Sequence, residues 1–150
     1  MPNWCTTTIK FTGAFDDVTN LHDRIVKYTS EELLKSDFGP MWLGNVVLGF
    51  ELCKPENLDA EDSPRCRGSI TSITEVYHPT EDGESYFYID TETAWCPMLK
   101  MWTSIIDKEY PSENPDIKRI QISYIATEPG NELYSTNDFD EWSDCLYDYG

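Results

Sequence analysis

Three aspartates at four-residue spacing, Asp140, Asp144 and Asp148, form the pattern with the clearest chemical content in this chain. On a helix they would line one face at i, i+4 and i+8, while Phe139, Trp142, Leu146 and Tyr149 would take much of the remaining surface. Like charges four residues apart destabilise a helix by roughly 0.2–0.5 kcal/mol per pair, so such a row is disfavoured unless something else selects it. Helical neighbours at this spacing sit about 5–6 Å apart, comparable to the charge repeat of a nucleic-acid backbone. One reading is therefore a ridge that imitates phosphates. The other is a solvated acidic tail with an aromatic anchor.

A second acidic pair, Asp90 and Glu92, falls on one face of a strand, about 6.6 Å apart at roughly 3.3 Å of rise per residue. With Glu75 and the turn acids Glu81, Asp82 and Glu84 it suggests a second negative surface. The polar outer face of a one-sided antiparallel sheet would account for the same residues. Met41-Trp42-Leu43 beside Gly39-Pro40 is an apolar run in an expected loop, and Trp42, if exposed, would be a protein-contact hot spot. Trp4, Trp42, Trp95 and Trp102 otherwise suit a core better than a ligand cage.

Other chemistries find less support. Asn137, Asp138, Asp140, Glu141 and Asp144 are oxygen donors in a short run, but the spacing lacks the Gly and the Glu that a calcium-binding loop needs at its sixth and twelfth positions. His22 and His78 have no Cys or His at ligand spacing. The five cysteines, Cys5, Cys53, Cys66, Cys96 and Cys145, are odd in number and widely spaced, which signals neither a zinc site nor a disulfide framework. We expect no cofactor, no metal and no catalytic residue.

Charge sets the partner class. The chain has 150 residues, with 11 Lys plus Arg against 28 Asp plus Glu, a formal net charge of −17. No Lys or Arg lies between Gly68 and Leu99, and no basic residue follows Arg119. Such a surface repels phosphate backbones and attracts basic protein surfaces, so direct nucleic-acid binding is not expected. With 39% hydrophobic and 13% aromatic residues the chain can still build a core. No stretch approaches the ~20 apolar residues of a membrane span, and no basic, apolar leader opens the chain. A cytoplasmic protein of one domain, residues 1–150, is the expectation.

The elements follow from periodicity. Cys5 to Phe11 alternates as a half-buried strand, and Phe15, Val18, Leu21, Ile25 and Val26 fall at helical spacing behind Asp16 and Asp17. Val46 to Leu52 reads as a strand, and Cys53 to Arg67 as an exposed loop, an insertion near 53–68. Ser69 to Tyr77 and Tyr86 to Thr91 flank Asp82-Gly83 as a hairpin. Pro97 suits the first turn of a second helix with Met98, Met101, Trp102, Ile105 and Ile106 as its stripe, stopped at Tyr110-Pro111. Arg119 to Thr127 is a last strand, before an acidic C-terminal segment, 128–150. This order predicts an α+β fold, a ferredoxin-like split βαβ sandwich with two helices on one face of an antiparallel sheet.

Three short segments carry a family resemblance: Met1-Pro2-Asn3-Trp4-Cys5 before Gly13, Thr93-Ala94-Trp95-Cys96-Pro97, and Glu128-Pro129-Gly130. In this order they resemble the YubB-like ferredoxin-like domain family of phage and plasmid proteins. Thr6 to Thr8 stand where the family usually continues with an Asn, and residues 34–66 match little of it. The resemblance implies the same fold and a mobile-element origin, and supplies no activity or site residues.

These readings combine into one expectation: a non-enzymatic, acidic inhibitor that places carboxylates where a host nucleic-acid-binding defence protein takes phosphates, of the anti-CRISPR or anti-restriction type. Asp140, Asp144, Asp148, Asp90, Glu92 and Trp42 are the expected partner-binding residues. The alternative is a small-molecule or peptide binding module in which acidity serves solubility.

Overall fold

A computed structural model describes residues 4–30, 38–57, 67–79, 83–94, 97–114, 116–128 and 133–136. Its first element is a strand, β1 (Trp4–Gly13), in which Cys5, Thr7, Ile9 and Phe11 are buried and the intervening side chains are not. That alternation is the period of a sheet with one covered face. Helix α1 (Phe15–Tyr28) follows, with Asp16 and Asp17 in its first turn and Val18, Leu21, His22 and Ile25 facing inward. Phe15 and Val26, at the margins of the expected stripe, are exposed.

Residues Leu43–Gly49 form a helix, α2, where Val46 to Leu52 were expected to be a strand. Leu43, Val46, Val47 and Phe50 recur at i, i+3, i+4 and i+7, and all four are buried, so packing of this stripe overrides the β-preference of the two valines. A short 3-10 turn, Pro55–Asn57, opens the expected loop. The remaining strands are β2 (Gly68–Ile73), β3 (Ser85–Ala94), β4 (Ile120–Glu128) and β5 (Leu133–Thr136), with helix α3 (Leu99–Glu109) between β3 and β4. Pro97 precedes α3 rather than entering its first turn, and Met98 at φ 57° redirects the chain into the helix.

All neighbouring strands are antiparallel, in the order β2-β3-β1-β4-β5. The α+β class read from the sequence holds. Three helices are present among the described residues instead of two, and β5 was not expected. It lies within the acidic C-terminal segment, 128–150, where its four residues are too few for a period to register in the sequence.

One core joins the three helices to a single face of the sheet. Phe11 and Phe87 stack at 5.0 Å, and Trp102 of α3 meets Phe11 edge-on at 5.4 Å. Two glycines permit close approach. A Cβ on Gly13 would lie 2.6 Å from the Arg119 carbonyl oxygen, and one on Gly44 would enter the Trp42 ring.

Candidate functional site

With the three helices all on one side, no helix or strand among the described residues covers the opposite face of the sheet. Strand pairing sets Thr6 beside Glu92, Thr8 beside Asp90, Lys10 beside Tyr88 and Thr12 beside Tyr86. On the outer side of β3, Ser69 pairs with Glu92 and Ser72 with Asp90, across a bulge between Ile70 and Ser72. Asp90 and Glu92 therefore share the open face, as their spacing predicts.

Their environments differ. Asp90 is half-buried and accepts two hydroxyl hydrogen bonds, from Thr8 Oγ1 at 2.7 Å and from Ser72 Oγ at 2.8 Å. One donor comes from each neighbouring strand, and bonds to an ionised acceptor are stronger than neutral ones, so the carboxylate is held in place. Glu92 is exposed and makes no ion pair among the described residues.

A group of tyrosines completes the face. Tyr86 stacks on Tyr77 at 5.4 Å and meets Tyr88 edge-on at 5.7 Å. The Lys10 ammonium lies 4.5 Å from the Tyr86 ring centroid and 5.9 Å from that of Tyr88. Trp4, expected in the core, is 51% exposed, because Cys5 takes the inward position and its neighbour must point outward. Sequence reasoning passed over this aromatic set. Its signal was present in the alternation of Tyr86 and Tyr88 with the buried Phe87 and Ile89.

Elsewhere, cations are drawn into links between elements. Arg24 of α1 pairs with Glu109 of α3 at 3.0 Å, Arg119 with Asp17 at 2.5 Å, and Lys118 with Asp107 at 2.5 Å. Lys108 donates to the carbonyls of Phe50 and Glu51. Lys27, Lys54, Arg67 and Lys100 stay exposed, but the acids Asp16, Glu51, Glu56, Glu75, Glu84, Glu92, Glu113 and Asp116 are exposed too, without ion pairs among the described residues.

Trp42 is only half-buried, its ring over Gly44, and pairs with the Phe38 ring at 4.7 Å. Phe38, 70% exposed, is the outward member of that patch and was not singled out from the sequence. Asp140, Asp144 and Asp148 lie outside the described residues, as do Glu81, Asp82, Trp95 and the oxygen-donor run near 137–144. Among the described residues, no group of three or more His, Cys, Asp or Glu is placed to hold a metal.

Both histidines have structural partners. His22 Nε2 donates to the Thr74 carbonyl at 3.0 Å while Nδ1 lies 3.1 Å from Asp23 Oδ1, which ties α1 to the chain after β2. His78 Nδ1 is 2.6 Å from Ser85 Oγ, but Ser85 is fully buried at the start of β3 and presents no hydroxyl to a substrate. Burial pushes the Cys53 thiol above its ordinary pKa, the opposite of activation.

A groove of about 190 Å³ runs between α3 and β4, lined mainly by Ile106, Ile120, Ile122 and Tyr124, with the Asp107 and Lys118 pair beside them. None of the residues expected at a site lines it. No helix among the described residues is long and apolar enough to cross a membrane. The chain matches no protein-family model, no curated protein and no solved structure.

Proposed function

We propose that this chain is a non-enzymatic, acidic inhibitor that occupies the basic nucleic-acid-binding surface of a protein partner, a restriction or RNA-guided defence nuclease being the target class. One observation carries the reading: Arg24, Lys118 and Arg119 are engaged by Glu109, Asp107 and Asp17, while Glu75, Glu84 and Glu92 stand exposed and unpaired on the described surface. Internal pairing leaves an outward field dominated by carboxylates, which steers a basic partner and weakens as salt screens it. The acidic C-terminal segment, with Asp140, Asp144 and Asp148, adds to the same field.

The fold reading belongs with this proposal. The order β2-β3-β1-β4, with α1 and α2 between β1 and β2 and with α3 between β3 and β4, supports a ferredoxin-like split βαβ arrangement to which α2 and β5 are additions. Membership of the YubB-like family, a mobile-element origin and a cytoplasmic site of action complete the proposal.

The test is competition. Purified restriction and RNA-guided nucleases are titrated with the chain at low and high salt while their DNA binding is followed. The reading expects loss of DNA binding that excess DNA reverses and that high salt abolishes. DNA binding unaffected across the panel would refute it.

The groove favours a second reading, a binding module for a small apolar molecule or peptide, since its walls are largely hydrophobic and its rim is charged. Its ligand would be retained at high salt.

A further inference from the structure

We propose that the open face of the sheet is the docking surface, and that its occupant is an extended, arginine-bearing segment of a basic protein. The proposal rests on the reading above of a basic partner and names the place and the chemistry of contact.

Four rows of side chains cross this face: Thr6 with Glu92, Thr8 with Asp90, Lys10 with Tyr88, and Thr12 with Tyr86. Successive rows are two residues apart, about 6.6 Å along a strand. An extended segment lying over the sheet turns every second side chain toward it at the same interval, so its cations meet the rows in step.

The two ends of the face offer a cation different partners. Glu92 is an exposed carboxylate, and Asp90 is fixed by Thr8 and Ser72 with acceptor capacity beyond those two bonds. At the other end the Tyr77 and Tyr86 rings are stacked, with Tyr77 49% exposed. Lys10 supplies an observation independent of the acids: the chain's own ammonium already lies over Tyr86, which shows that this ring takes a cation in this setting. A guanidinium suits both ends, since it binds a carboxylate through two parallel hydrogen bonds and stacks on an aromatic face. Stacked tyrosines on a sheet also suit nucleobases, but phosphates would meet Asp90 and Glu92.

The experiment follows backbone amide NMR shifts of the full chain during titration with an alternating arginine-threonine octapeptide, its citrulline counterpart and oligothymidylate. The proposal expects the arginine peptide alone to bind, with shifts concentrated at Thr8, Lys10, Tyr88 and Glu92. It expects affinity to fall about tenfold in Tyr77→Ser/Tyr86→Ser and severalfold in Glu92→Gln. Arginine-peptide shifts confined to other surfaces, or affinity unchanged in the variants, would overturn the docking face while leaving the basic-partner reading intact. Equal binding of the citrulline peptide, or oligothymidylate binding on this face, would overturn the arginine assignment. No binding of the arginine peptide would by itself overturn this proposal, and failure of the nuclease competition as well would remove both. The wild-type shift map needs no variant, so a misfolded mutant cannot decide the outcome.

Discussion

Lys10 reaches diagonally across the β1 and β3 pair: it stands opposite Tyr88 in register, yet its ammonium lies closer to the Tyr86 ring, at 4.5 Å. The contact turns one of the chain's few cations onto an aromatic surface between two acids and a stacked tyrosine pair. Removing it has two opposite consequences. Lys10→Gln should lower stability by about 0.5–1 kcal/mol, the worth of an exposed cation-aromatic contact. The same variant should bind the arginine octapeptide more tightly, because a competing cation has left the ring. Urea unfolding and peptide titration measure the two effects, and weaker peptide binding would contradict the second.

Replacing Asp140, Asp144 and Asp148 together by lysine tests the expected acidic ridge. If the ridge contributes to the contact, inhibition of the target nuclease is lost. Thermal unfolding of the variant is measured alongside, and a cooperative transition would assign the loss to the contact rather than to the fold. Undiminished inhibition would transfer the contact to the open face.

Trp102 packs against Phe11 at the centre of the core, and its indole Nε1 is buried without a hydrogen-bond partner among the described residues. Trp102→Ala should therefore cost about 3–5 kcal/mol, a large part of the ~5–15 kcal/mol that holds a domain folded. Trp102→Phe should cost much less, since it also removes a buried donor that the fold leaves unsatisfied. Denaturant midpoints of the two variants decide this, and equal losses would mean that the indole N–H has a partner.

Tyr110 closes α3 onto α1, donating its hydroxyl to Asn20 Oδ1 at 2.5 Å. Burial pushes the phenol above its ordinary pKa of 10.0, with the Arg24 cation acting in the opposite direction. The folded state thus holds the proton to higher pH than the unfolded chain does. Its contribution is complete below the unfolded value, about 10, and is lost as pH rises through the higher folded value. Tyr110→Phe should cost about 0.5–1.5 kcal/mol near neutral pH and flatten the alkaline loss of stability. Urea midpoints at neutral and strongly alkaline pH test both parts.

Much of the scaffold was legible because its signals are local. In β1, Cys5, Thr7, Ile9 and Phe11 alternate with polar neighbours, and in α1 Val18, Leu21 and Ile25 repeat at helical spacing with acids in the first turn. The segment holding α2 was misread for a related reason. Val46 and Val47 favour strands in isolation, and only burial of Leu43, Val46, Val47 and Phe50 against α1 and the sheet settles the helix. Strand β5 is recognisable only beside β4, which supplies its hydrogen-bond partners.

The site divides in the same way. Residue identity and order alone determined the net charge, the absence of basic residues after Arg119, and the shared face of Asp90 and Glu92, the last through the two-residue period of a strand. Tertiary structure decided which face that is. By placing all three helices on one side of the sheet, it left Tyr77, Tyr86, Tyr88 and Lys10 beside those acids and turned Trp4 outward. It also brought Thr8 and Ser72, from strands far apart in the chain, onto a single carboxylate. Periodicity tells which side chains point the same way, but only the packing of distant elements determines whether that way leads into the core or out to a partner.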